Sequence, residues 1–224
     1  MGDLVHTWEK VALWTFPINL GFVGGYAQKH LPDDVTLRLF KRPEEMIEAI
    51  RAEAPDVVAL SFYVWNTQIN SLVMRLAKQQ NPQCLTIGGG PIFTDLNANS
   101  ETATSFFGEH SCCDAFVLNQ GELPFLGVLR RFLEVGAEPE KFRAQPVPGT
   151  LVNGGEGVSH VSAPMAVLDD LNDIPSPYLN GLMDPFFDDV FTPQIETNRS
   201  CPYRCTFCAW GIGTKKLLRF DEDR

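Results

Sequence analysis

Long apolar runs are missing from this chain of 224 residues. The longest, VVALSFYVW (57–65), falls well short of the ~20 residues that a membrane-spanning helix needs. Basic charge is also in short supply: 18 Lys and Arg stand against 28 Asp and Glu, a formal net charge of −10. A general binder of phosphate backbones would carry a basic face, so the charge disfavours that class but not recognition of one particular RNA or protein. The start, MGDLVHTWEK, has no basic stretch followed by an apolar core, so no secretory signal is expected and the cytoplasm is the expected compartment. Nucleotide-cradling loops are absent too. GGGP (88–91) is followed by no Lys-Ser/Thr pair and fits neither a Walker loop nor GxGxxG.

What is present is a regular alternation. KVALWTF (10–16), VTLRLF (35–40), DVVALSFY (56–63), QCLTIGGG (83–90) and DAFVLN (114–119) read as strands. Segments with helical spacing separate them, at 19–31, 42–53, 66–80 and 122–133. Strands that are apolar almost throughout are covered on both faces, which implies a parallel sheet between helix layers. The expected fold class is therefore α/β, a flavodoxin-like doubly wound parallel sheet over residues 1–145. Ligands of such sheets bind beyond the carboxyl ends of the strands. Here those ends hold Ser61, Gly88, Gly89, Gly90, Gly121 and Glu122, small or polar residues that let a bulky ligand approach the backbone. The glycines read equally as parts of a tight turn. Glu122 reads first as a helix-start or solvated carboxylate, and Tyr63 and Trp65 as either ligand-stacking or rim residues.

Residues 146–191 break the alternation. PVPGTLVNGGEGVSHV (146–161) reads as a hairpin around Asn153, Gly154 and Gly155. The Asp-, Asn- and Pro-rich stretch 165–186 reads as a surface-crossing linker, with Asp169, Asp170 and Asp173 solvated. Residues 194–197 have strand character and lead into SCPYRCTFCAWG (200–211).

That run places Cys201, Cys205 and Cys208 in a C-x3-C-x2-C spacing. Structural zinc needs four protein ligands, and none of the four histidines (6, 30, 110 and 160) lies near. Zinc with a distant fourth ligand stays open, as does a disulfide plus one thiol. Three thiolates with an open fourth position suit a cubane iron–sulfur cluster. A strand, then the cysteine loop, then glycines, then a helix start at 220–224 would make the first βα unit of a barrel. Cys84, Cys112 and Cys113 read as small buried hydrophobes.

IETNRSCPYRCTFCAW resembles the cluster motif of the radical S-adenosylmethionine (SAM) enzymes. NLGFVGGYAQKH, PDVVALSFYVWN, TIGGGPIFT, NQGELPF and LDDLNDIPSPYL resemble, in order, the subgroup with an N-terminal cobalamin-binding domain. The resemblance implies a [4Fe–4S] cluster on Cys201, Cys205 and Cys208, with SAM on its unique iron and Phe207 near the adenine. It implies reductive SAM cleavage and a methyltransferase as candidate activity. It also implies a low-potential electron donor, such as a flavodoxin or ferredoxin, and an unknown substrate. Residues 192–224 would begin a (β/α) partial barrel that needs about 200 residues more, so the chain is expected to be an N-terminal piece, inactive alone. One departure stands out: FPINLGFVGG lacks the Asp and His of D-x-H-x-x-G, so cobalamin would bind without histidine ligation. The alternative is a non-catalytic corrinoid- or partner-binding module with a vestigial cluster motif.

Overall fold

The computed structural model describes residues 1–4, 14–93, 98–145, 147–155, 159–163, 167–203, 205–208 and 216–223. Its elements run α1 (Ile18–His30), α2 (Pro43–Ala52), β1 (Val57–Ser61), α3 (Thr67–Gln80), β2 (Leu85–Gly89), α4 (Ser100–Glu109), β3 (Ala115–Val117), α5 (Glu122–Glu134), α6 (Pro139–Arg143), β4 (Thr150–Asn153), β5 (Ser159–Val161), β6 (Asn198–Arg199) and β7 (Leu218–Arg219). Strands β1, β2 and β3 pair in parallel, and β4 and β5 continue the sheet antiparallel. The hairpin expected from Asn153 and its glycines therefore adds to the sheet itself.

The sheet extends past β1 through the first residues of the chain. Gly2 donates its N–H to Ala59 O (2.8 Å), and its own carbonyl accepts from Ser61 N–H (3.0 Å). On its other side Asp3 N–H reaches Phe40 O at 3.1 Å. A Cβ on Gly2 would lie within 3.0 Å of Met46, Leu60 and Leu4 side chains, so only glycine fits this slot as packed. Two expectations change here. The strand expected at 10–16 lies mostly outside the described residues, and Thr15 makes only a lone bridge to Thr192. The strand expected at 35–40 reduces to one bridge at Phe40, because Leu37 and Leu39 turn into a separate cluster with Phe16 and Met183. The order across the sheet, from 40 to 2 to β1, β2 and β3, is that of a flavodoxin-like domain.

Alternate residues of each strand feed two cores. Val58, Leu60 and Phe116 pack with Met46, Ile50, Val73, Met74 and Phe106 from α2, α3 and α4. Ala59, Ile87, Ala115 and Val117 pack with Ala27 of α1 and with Phe125, Val128 and Phe132 of α5. This two-sided burial is why the strands carry apolar residues at successive positions. Helix α4 has no counterpart among the expected helices; its amino end is closed by a reciprocal capping box between Asn99 and Thr102.

Residues 168–186 are more than a surface linker. Leu168, Leu171, Ile174, Met183 and Phe186 are buried against the outer face of α1. A Cβ on Gly21 would meet Met183 at 2.5 Å and Pro177 at 2.6 Å, so this glycine admits the segment. Asp173 is not simply solvated: it pairs with Lys29 at 2.6 Å, and that ammonium holds its carboxyl below the usual carboxylate range. Residues 193–197 form no strand; β6 begins at Asn198 and pairs antiparallel with β7. No helix starts within 220–223, where the chain leaves β7 in a turn. Among the described residues no helix is long and apolar enough to cross a membrane.

Candidate functional site

The carboxyl edge of the sheet carries a cleft of about 130 Å³ lined by Asp3, Lys41, Asn19, Tyr63, Trp65 and Gln194, among others. It lies where the chain order reverses between residues 1–3 and β1, the position at which open α/β sheets bind ligands. Lys41 is almost wholly buried (4% exposed) and reaches Asp3 at 2.6 Å. The Tyr63 and Trp65 rings stack 4.7 Å apart, with Trp65 55% exposed. Burial, and then the charge of Asp3, pushes the Tyr63 phenol up to about 12, against a weaker pull from Asn19.

The loop after β1 is held from below by two asparagines, Asn66 and Asn70, that fall within the expected helix 66–80. The Asn66 side-chain N–H donates to Leu4 O (3.1 Å) and Ser61 O (2.9 Å), while its oxygen accepts from Tyr63 N–H (2.8 Å). Asn70 also donates to Ser61 O, at 2.9 Å. Both are buried. Their available signal was an Asn pair four residues apart at the opening of α3.

Ser61 and Gly89 sit side by side in the β1–β2 register, and Gly89 faces Val117 of β3. The other glycines answer to packing. A Cβ on Gly88 would meet the Phe116 ring at 2.6 Å, and one on Gly121 would meet Val23 at 2.9 Å. Gly90 has φ +120° and lies against Phe62 O, which demands glycine. Gly90 is exposed at the rim, and only Gly89 has ordinary room above it. In the next loop the Gln120 side-chain oxygen is buried without a hydrogen-bond partner, an acceptor that a ligand amide could meet.

Glu122 heads α5, as its helix-start reading has it, but it is not solvated. It is 2% exposed and accepts from the Arg199 guanidinium at 2.7 Å. Residues 194–199 thus run along the carboxyl edge, from the cleft at Gln194 to the head of α5 at Glu122. The cysteines follow at once. Cys201 is half-buried, Cys205 and Cys208 are exposed, and none of the six cysteines is in a disulfide. Cys208 N–H donates to Cys205 O at 3.0 Å, a tight turn, and Phe207 projects outward, 91% exposed. Among the described residues no three His, Cys, Asp or Glu side chains converge to hold a metal. The donor set fits an iron–sulfur cluster in kind, accessible thiols on one short turn, though their present arrangement does not close on a point. Trp210 and the glycines at 211 and 213 lie outside the described residues. The remaining thiols are shielded: burial raises Cys84 to about 12 and Cys113 well above its ordinary value.

Comparison with known proteins agrees with this architecture. The model of the B12 binding domain matches residues 9–126. The 2-(S-pantetheinyl)-carbapenam-3-carboxylate methyltransferase of Streptantibioticus cattleyicolor is 35% identical over 221 residues, covering 93% of this chain and 30% of that protein. The cobalamin-dependent radical SAM methyltransferase TokK of Streptomyces tokunonensis is 36% identical over 196 residues, covering 82% of this chain and 27% of that protein. The chain thus spans less than a third of the length of either relative.

Proposed function

The chain belongs to the family of B12-binding domains, and on that premise we propose that it is the corrinoid-binding part of a cobalamin-dependent radical SAM methyltransferase. The observation that carries this reading is the course of residues 194–208. They leave the cleft at the sheet's switch point, cross its carboxyl edge and deliver the C-x3-C-x2-C thiols beside it. The names of the two relatives support the same activity.

In this reading Ser61, Gly89 and Gly90 at the carboxyl edge, with the Tyr63–Trp65 stack, would hold the corrinoid. The asparagines beneath hold that edge rigid, which spares the ligand the cost of ordering it. Cys201, Cys205 and Cys208, each deprotonated, would hold three irons, with Phe207 beside SAM. When bound, the cluster and the corrinoid supply electron transfer to SAM and methyl carriage, chemistry beyond any side chain here. A low-potential flavodoxin or ferredoxin is the electron donor that such chemistry calls for. Residues 192–224 would then form the start of the radical SAM barrel.

Anaerobic reconstitution with iron and sulfide tests this directly. About four irons and four sulfides per chain are expected for the natural sequence, and none after Cys201→Ala/Cys205→Ala/Cys208→Ala. Hydroxocobalamin titration should give saturable binding in both. Equal iron in both proteins would refute the cluster. The alternative is a corrinoid module with a disused motif; corrinoid binding with no iron in either protein, and none in a longer chain that carries the rest of the barrel, would support it.

A further inference from the structure

Arg199 stands two residues before the first cluster cysteine. It is 12% exposed and holds two carboxylates at once. Its Nη2 donates to Glu122 Oε1 at 2.7 Å and to Glu196 Oε2 at 3.1 Å, and its Nε reaches Glu196 Oε1 at 3.1 Å. The guanidinium carbon lies 5.6 Å from the centre of the Phe22 ring of α1. Phe22 in turn stacks on Phe220, whose N–H bonds Thr197 O at 3.1 Å and so closes the β6–β7 ribbon. Helix α5, helix α1 and the ribbon therefore meet on one planar cation. Immediately after it Ser200 takes φ 73°, and Cys201 follows.

The contact spans 77 residues and joins the head of α5, just past the carboxyl end of β3, to the segment that bears the thiols. Glu122 is 2% exposed, and its second oxygen is buried without a partner. A carboxylate so placed is tolerable only while a cation faces it. Lysine could not replace this geometry, since one ammonium cannot present a planar fork to two carboxylates.

We propose that Glu122 and Arg199 form a latch that fixes the cysteine-bearing segment on the carboxyl edge of the B12-binding sheet. Arg199 is thereby a positioning residue for the three thiols. The iron arm of the test rests on the cluster reading above; the exchange arm does not.

The experiment compares the natural chain with Glu122→Gln, Arg199→Ala and Arg199→Lys by amide hydrogen exchange and by iron content after anaerobic reconstitution. Glu122→Gln should speed exchange in 198–208 by roughly tenfold or more, the loss expected for one charge-assisted hydrogen bond. Exchange in β2 and α3 should stay as it was, and iron per chain should fall by at least half. Arg199→Lys should recover part of what Arg199→Ala loses in both measurements. Asp114→Asn is the control for general destabilisation; it should speed exchange in β2 and α3 without singling out 198–208. Unchanged exchange in 198–208 overturns the latch. Faster exchange with undiminished iron overturns the positioning role. Iron-free natural chain with faster exchange in Glu122→Gln upholds the latch and counts against a cluster on this chain by itself.

Discussion

Asp114 should be the most costly single carboxylate in the fold to remove. It stands at the amino end of β3, 1% exposed, opposite the edge that carries the cleft. Its side chain accepts from Lys78 Nζ at 2.6 Å, Arg143 Nη2 at 2.9 Å, Thr86 N–H at 2.9 Å and the Thr86 hydroxyl at 2.9 Å. It thus ties α3, α6 and β2 to β3. Asp114→Ala leaves Thr86 N–H without its acceptor and two cations without their anion. Breaking a buried pair costs about 3–5 kcal/mol. Lys78 and Arg143 are 22% and 25% exposed and can turn partly to water, so the lower end applies, about 3 kcal/mol. At about 2–4 °C per kcal/mol for a chain of this size, the melting temperature should drop by about 6–12 °C. Asp114→Asn keeps shape and one acceptor and should lose about half as much. Far-ultraviolet circular dichroism melts at fixed pH would measure both. Buried pairs are poorly screened, so 1 M salt should leave the difference standing. A drop below about 2 °C for Asp114→Ala would refute the reasoning that this end of the sheet is pinned by charge.

Other consequences follow from local packing. Gly88→Ala should destabilise by about 1–3 kcal/mol, because the new methyl meets the fully buried Phe116 ring at 2.6 Å. The same change at Gly108 in α4, where nothing lies within 4 Å, should stabilise by about 0.5–1 kcal/mol. Urea midpoints would show the opposite signs. Burial lowers the His110 imidazole below 6.5, where Ser71 Oγ meets its Nδ1 at 2.6 Å. The unfolded chain then takes up the proton first, so His110 contributes stability above pH 6.5 that is lost as pH falls through the lowered value. His110→Gln should flatten the pH dependence of the urea midpoint below 6.5; an unchanged slope would count against it. Iodoacetamide under native conditions should modify Cys205 and Cys208 early, and Cys84 and Cys113 only after denaturation, as read by peptide mass spectrometry.

Much of the domain was legible because period and burial agree. Helices α1, α2, α3 and α5 and strands β1, β2 and β3 lie where apolar spacing places them, with α1 starting one residue earlier and α5 ending one residue later than expected. Reading failed where an element is too short to show a period. Three residues at 1–3 fill a sheet position because Gly2 fits between Met46 and Leu60, and three residues have no repeat to detect. Helix α4 opens with polar SETATS, which hides its apolar face; the Asn99–Thr102 box was its only clear signal. The stretch 168–186 buries its apolar residues irregularly onto Gly21 and its neighbours, so composition alone made it a linker. The three thiols were legible as a spacing, but a spacing states which donors are available and not where they converge.

Glu122 shows the limit most clearly. A glutamate at the first position of a helix has a sufficient local reason to be there, since a negative charge suits a helix amino end. That reason ends the search before any distant partner is sought. Its burial depends on Arg199, 77 residues away, and neither residue carries a local sign of the other. The pairing matters for function because it is long-range. A contact within one helix could stabilise only that helix, whereas this one joins the head of α5 to the strand leading into Cys201. Positions of this kind, charged, locally explained and buried by a remote partner, are where a sequence reading should expect to understate a site.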